Sequence, residues 1–259
     1  MGVAILLKRQ EGDFVNFLPE KQETSEVVSL LREGEVTACR MVPRGTNSVF
    51  LLVLRRENDI IKTVYKPRRG EAPLWDFPDG TLYLREAAAY LVSQALGWHF
   101  IPPTEIREGP YGIGVVQQFI TARPNASYSS MVRKHSFEFR QIAVFDWLVN
   151  NADRKAGHCL EGEDGRIWGI DHGLTFNVMP KLRTVIWDFS GEAIPKKLVA
   201  DLYNFKKQLE GNTDLRQSLS HLITVNETTA LEKRLKIILR RPIFPMWSGS
   251  YHSIPWPPY

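Results

Sequence analysis

The chain has 259 residues, 43% hydrophobic and 24% charged, with a formal net charge of +4. This length suits one large domain or two small lobes, the composition is that of an ordinary soluble globular protein, and so small a charge gives no argument for a nucleic-acid partner. Cys39 and Cys159 are too far apart for a disulfide framework or a zinc site, no apolar run reaches the length of a membrane span, and Met1–Leu7 is too short for a secretion signal, so a cytoplasmic setting is expected.

Residues 1–34 read as an N-terminal arm, with a polar loop over Pro19–Thr24 and a short helix from Glu26 to about Arg32 capped by Ser25. Glu35–Val42, Ser48–Arg55 and Ile60–Tyr65 are extended, apolar or alternating, and separated by turns at Pro43–Asn47 and Glu57–Asp59. They form a three-stranded antiparallel meander. The first turn carries Gly45, Thr46, Asn47 and Ser48, whose backbone N–H groups and small polar side chains can cradle phosphate. There is no glycine-rich or Walker sequence there, and a plain hairpin turn explains these four residues about as well. Lys66 ends the third strand, and Pro67 forces an extended exit into a long loop reaching about Gly80. Thr81 then opens an alanine-rich helix with an apolar face at Leu84, Ala88, Leu91 and Ala95, which places Glu86 within it and ends at Gly97.

Pro102 and Pro103 break the chain before a strand at Glu105–Arg107, a turn at Glu108–Gly112 and an apolar strand Gly114–Ile120. The polar stretch Thr121–Ser127 is the natural hinge between two lobes. Phe137–Val149 is helical and runs into the polar loop Asn150–His158, followed by a hairpin: Cys159 and Leu160, a turn at Glu163–Gly165, then Arg166–Ile170. Gly173 is expected to take an unusual backbone angle just after Asp171 and His172. Leu174–Asp188 lacks helical periodicity, Pro195–Leu209 and Asn212–Arg240 read as helices, and the Pro-rich, aromatic tail Pro242–Tyr259 cannot be regular helix.

The hairpin brings its two ends together, so Asp153 before it and Asp171 after it should face one cavity. Each alone is an ordinary turn former; as a pair they suit phosphoryl transfer, which needs one carboxylate to take the proton of the acceptor hydroxyl and another to hold the metal on the ATP phosphates. In this reading Asp153 is the base, Asp171 the metal ligand and His158 a further ligand, while Arg154 and Lys155 stabilise the transferring group. A strand lysine that reaches the phosphates and a helix glutamate that holds it complete the arrangement, and Lys66 and Glu86 have those positions. Adenine would meet the chain at Gln118, Phe119 and Ile120. Lys181 and Arg183 would meet an anionic acceptor, or are simply a solvated basic face.

The runs VYKP, REAAAYLVSQALG, VVQQFI, NNADRKAGH and GIDHGLTF resemble the bacterial relatives of phosphatidylinositol 3- and 4-kinases, with the type II phosphatidylinositol 4-kinases as the eukaryotic comparison. The similarity spans roughly residues 35–189. It implies an α+β, two-lobed protein-kinase-like fold with an antiparallel-sheet N-lobe over residues 35–122, a mainly helical C-lobe over 123–241 and a tail over 242–259. It further implies ATP with Mg²⁺ or Mn²⁺, and transfer of the γ-phosphate to a hydroxyl of a lipid, protein or small molecule. Lys66 resembles the family's ATP lysine, Glu86 its helix partner, Asp153 the catalytic aspartate and Asp171 the metal-binding aspartate. His158 stands where the family usually has asparagine. That departure, with the glycine-poor turn, leaves a nucleotide-binding pseudokinase or regulatory module as an alternative, beside transfer of AMP on the same fold.

Overall fold

The computed structural model describes residues 24–43, 45–211 and 213–259. The expected loop from Pro19 to residue 23 lies outside them, as do Arg44 of the first turn and Asn212. The meander expected from the sequence is present as β1 (Glu35–Met41), β2 (Phe50–Arg56) and β3 (Asp59–Pro67). β4 (Thr104–Gly109) and β5 (Gly112–Gln118) complete a five-stranded antiparallel sheet in the order β1-β2-β3-β5-β4. Side chains alternate across each strand. Ile61, Thr63 and Tyr65 of β3 are therefore buried on one face, while Val64 and Lys66 point to the other. The register pairs Lys66 with Val115 and Thr63 with Gln118.

The buried face is covered by α1 (Thr24–Glu33), which contributes Val27, Leu30 and Leu31 to one apolar cluster with Phe50, Leu52, Leu54, Ile61, Tyr65 and Val116. The boundary expected at residue 34 cuts through this cluster, so the helix belongs to the sheet rather than to a separate arm. α2 (Leu82–Ala95) buries Ala88, Ala89 and Val92. The Thr81 side chain makes no cap hydrogen bond. Its place is taken from a distance by Glu71, whose carboxylate accepts from the N–H groups of Leu82 at 3.0 Å and Tyr83 at 2.8 Å. An anion at this end also complements the helix dipole.

The second lobe is built on α4 (Ser136–Val149), preceded by α3 (Tyr128–Lys134), which begins with a Ser127–Ser130 capping box. Buried Phe139, Ile142, Phe145 and Leu148 join one large cluster with α2 and with the later helices. Those are α5 (Lys196–Leu209), α6 (Asp214–Ser220) and α7 (Val225–Arg240). The single helix expected over Asn212–Arg240 is thus two: Thr224 and Glu227 form a capping box that starts α7 afresh. The hairpin consists of β6 (Cys159–Glu161) and β7 (Ile167–Gly169). Among the described residues, no helix is long and apolar enough to cross a membrane.

Candidate active site

Strand β3, helix α2, the loop after α4 and the loop after β7 converge on a cavity of about 320 Å³ lined by Lys66, Glu86, Asp153, Lys155, His158 and Asp171. Six expected residues from distant parts of the chain therefore share one space. Lys66 is the central cation. It ion-pairs with the Glu86 carboxylate, and its Nζ donates to Asp171 Oδ1 at 2.9 Å. Burial works against the Lys66 ammonium, but Asp171 and Glu86 outweigh it and hold its pKa above the ordinary value. Burial would likewise raise the Asp171 carboxyl; Lys66 and His158 overcome it and hold Asp171 well below the usual carboxylate range. It is therefore ionised across the physiological range.

Asp171 is itself in the left-handed region, at φ +61°. Gly173, expected to take the unusual angle, does not. Aspartate is among the residues that tolerate this conformation because its short polar side chain can bond locally. His172, next in the chain, donates its backbone N–H to Glu86 Oε2 at 2.9 Å. The two oxygens of Glu86 thus hold Lys66 and the loop after β7 at once.

Asp153 lies in the loop after α4, with Lys155 Nζ 3.0 Å from its Oδ2. Burial raises its pKa to about 6, with Lys155 opposing. A carboxylate with that value is ionised at neutral pH yet basic enough to accept a proton. Its backbone N–H is held by Asn151 Oδ1 at 3.0 Å. His158 is buried, and burial lowers its pKa to about 4, leaving a neutral imidazole. Its Nε2 is 3.2 Å from Asp171 Oδ2. Two donors at right angles around a hexacoordinate divalent ion, each about 2.1 Å from it, stand about 3 Å apart, so the spacing of this pair suits one such ion. His158 Nε2 would ligate it only with the ring proton on Nδ1, the atom that now faces the Lys155 N–H at 3.4 Å. No group of three or more His, Cys, Asp or Glu converges among the described residues. The remaining ligands would be phosphate oxygens and water, the usual arrangement for Mg²⁺; the imidazole suits Mn²⁺ at least as well.

Gly45, Thr46, Asn47 and Ser48 form the roof of the cavity. The turn is pinned at its C-terminal end: Asn47 Oδ1 accepts from Ala72 N–H at 2.8 Å, and Ser48 N–H donates to Gly70 O at 2.8 Å. Gly45 adopts φ +120°, open to glycine and strained for other residues. Behind Lys66 a narrow slot is walled by Val64, Leu160 and Ile170, with Gln118, Phe119 and Ile120 along its edge. The Gln118 N–H already donates to Pro103 O at 2.9 Å and the Phe119 N–H to Lys62 O at 3.0 Å. Those two donors belong to the sheet.

Two expected side-chain roles also fail. Arg154 does not reach the cavity: it is 0% exposed and makes a two-pronged ion pair with Asp146, Nε to Oδ2 and Nη2 to Oδ1 both at 2.9 Å. It also donates to Ile170 O at 2.8 Å and lies 2.6 Å from His172 Nε2. A guanidinium saturated in this way ties the loops before and after the hairpin together and has no donor to spare for a phosphate. Lys181 is not a free anion receptor either, because its Nζ is 2.8 Å from Asp76 Oδ2 and lies over the Trp75 ring. Arg183 is exposed. Four residues that sequence reasoning passed over hold the site: Asp146, Asn151, His172 and Glu71. Asn151 in NNAD was the only one with a visible signal, a turn residue two places before the candidate base. The others sit on a helix face or in loops where only the tertiary contact gives them meaning.

A sheet-and-helix N-lobe, a helical C-lobe and a cavity between them define the two-lobed protein-kinase-like fold. Solved structures agree. Over 86% of this chain and 76% of the other, the Golgi casein kinase with Mn/ADP bound superposes at a TM-score of 0.54 with 16% identity. Hydra Fam20 with sugar gives 0.52 at 17% identity over 88% and 90% of the two chains. The Helicobacter pylori proinflammatory kinase CtkA gives 0.53 at 12% identity over 83% and 94%. At such identities the likeness is one of fold. In sequence, the chain is 36% identical over 266 residues to Protein Rv2133c of Mycobacterium tuberculosis, covering 89% of this chain and 95% of that protein. It belongs to the family of that mycobacterial protein. No family model matches it.

Proposed function

We propose that this protein is an ATP-dependent phosphotransferase of the phosphatidylinositol 3-/4-kinase-like type, which transfers the γ-phosphoryl group to a hydroxyl. The observation that carries the reading is Lys66, bound at once to Glu86 and Asp171, facing Asp153 across one cavity. The kinase-like fold, and the Mn/ADP bound to the Golgi casein kinase, support it.

Residues 24–122 form the lobe that receives the nucleotide: the slot takes the base, the 45–48 turn covers the phosphates, and Lys66 neutralises their charge. Asp171 and His158 would hold Mg²⁺ or Mn²⁺, which supplies a Lewis acid for the phosphate oxygens. In residues 123–241, Asp153 accepts the proton of the acceptor hydroxyl as that hydroxyl's oxygen attacks the γ-phosphorus and the bond to the bridging oxygen of the departing ADP breaks. Lys155, beside Asp153, adds positive charge where the transferring group carries negative charge. Arg154 acts by holding both loops in register and touches nothing that reacts.

The test is a thermal-shift titration with ATP and Mg²⁺ or Mn²⁺, followed by an assay of phosphate transfer. A ligand at 100 times its dissociation constant adds about 2.7 kcal/mol to stability. Metal-dependent stabilisation should be present in the wild type and lost in Asp171→Ala, and Asp153→Asn should bind ATP without transfer. No shift with any nucleotide sinks the reading. A second reading, a nucleotide-binding regulatory module, is motivated by His158 in the metal pair; it predicts the same shift with no turnover. Mass analysis of a trapped product separates phosphate from AMP transfer.

A further inference from the structure

The Pro-rich tail is not a loose end. From Ser253 onward it lies along the loop that carries Asp153. Ser253 O accepts from the Thr184 N–H at 3.0 Å and from the Trp187 indole Nε1–H at 3.3 Å. Pro258 O accepts from the Ala156 N–H at 2.9 Å. Between these anchors Pro255 is buried and Pro257 enters the lining of the same cavity as Asp153 and Lys155, which Tyr259 joins just beyond Pro258. The groove therefore presents three N–H donors, and each meets a main-chain carbonyl of the tail.

The chemistry of these contacts is informative. Donors aimed at main-chain carbonyls recognise a polypeptide backbone whatever its side chains. The donors themselves are fixed by the core of the lobe: Thr184 is buried, and its neighbours join the catalytic loop, with Arg154 N–H donating to Arg183 O and Val185 N–H to Arg154 O, both at 3.0 Å. A site preformed in this way needs little ordering to receive a polypeptide segment. Proline, with its φ already fixed, loses little backbone entropy on docking.

The geometry points to a polypeptide-binding subsite on the Asp153 side of the cavity, built on the Ala156, Thr184 and Trp187 donors, with residues 253–259 as its resident ligand. Its role as the acceptor subsite rests on the phosphotransferase reading; the peptide binding does not. An acceptor polypeptide must displace the tail, so its apparent affinity is lowered by the fraction of molecules in which the tail is docked. The tail thereby restrains the site until a segment of the same class competes.

The test uses the full chain with Pro257→Gly and Tyr259→Ala together, and Tyr259→Ala alone as a milder second variant at an exposed position. The first measurement is amide hydrogen exchange at Ala156, whose N–H should exchange at least tenfold faster in the double variant. The second is calorimetric binding of the synthetic peptide SIPWPPY. A tethered tail competes at an effective concentration of about millimolar, so the peptide should bind the double variant at least tenfold more tightly than the wild type. Equal exchange at Ala156 in wild type and both variants overturns the docking. Faster exchange with no preference in peptide binding overturns the polypeptide class. Neither measurement contains nucleotide, so absence of ATP binding would remove the kinase reading while these results stand or fall by themselves.

Discussion

Replacing Asp153 by asparagine should make the protein more stable while ending transfer. The Asp153 carboxylate is three-quarters removed from water, its side chain being 24% exposed, and burial raises its pKa from 3.8 to about 6. One pKa unit corresponds to about 1.4 kcal/mol between the two protonation states, so the charge costs the folded state at most about 3 kcal/mol. The Lys155 attraction is already contained in that shift, and partial exposure reduces the expected gain to about 1–3 kcal/mol. For a chain of this size that is a rise of about 2–4 °C in Tm per kcal/mol. The pH dependence fixes the cause. Because the folded-state pKa lies above the unfolded one, the wild-type carboxyl holds its proton more tightly when folded. Its cost is absent below about pH 3.8, grows between 3.8 and 6, and is fully present above 6. Urea unfolding of wild type and Asp153→Asn, followed by tryptophan fluorescence between pH 4 and 8, measures the difference directly. The advantage of the variant should be greatest above pH 6 and vanish near pH 4. A variant less stable than wild type at pH 8, or a difference that does not change with pH, refutes the reasoning.

The same carboxyl should govern catalysis: transfer should rise with pH through a midpoint near 6 as Asp153 loses its proton, and Lys155→Met, which removes the cation opposing the shift, should move that midpoint to higher pH in a pH–rate profile. Arg154→Met leaves Asp146 buried without its partner and should cost about 3–5 kcal/mol in chemical denaturation; a loss below about 1 kcal/mol would mean that the pair is not the tie between the two loops. Arg85, the neighbour of Glu86, is buried against Glu227 of α7 and donates to Thr175 O at 2.7 Å. Arg85→Met should cost about the same 3–5 kcal/mol, and adding Glu227→Met should recover part of it, because no unpaired charge then remains buried while the Thr224–Glu227 capping box is lost, at about 1 kcal/mol.

The strand and helix segments were legible in the sequence because their information is local. Alternation in Ile60–Tyr65 set which face of β3 is buried, and so fixed the side on which Lys66 points. The hairpin between Asp153 and Asp171 was readable for the same reason: turn chemistry at Glu163–Gly165 forces its ends together. Where a competing local signal intervened, the reading erred. The apolar spacing from Asn212 to Arg240 suggests one helix, but Thr224 and Glu227 satisfy the free N–H groups of a new one. The roles of individual charges were beyond reach of pattern alone. Arg154 and Lys155 are adjacent and alike in sequence, yet one is sealed against Asp146 and the other lines the cavity. Lys181 looks like an anion receptor until Asp76, far away in the chain, neutralises it. Propensity, periodicity and turn chemistry act over a few residues, so they specify which backbone segments form and which polar residues those carry to the loops. Burial and pairing depend on neighbours that the fold supplies from elsewhere in the chain, so it is packing that sets which of those charges are spent on each other, which remain in the cavity, and that the Pro-rich tail returns to line it.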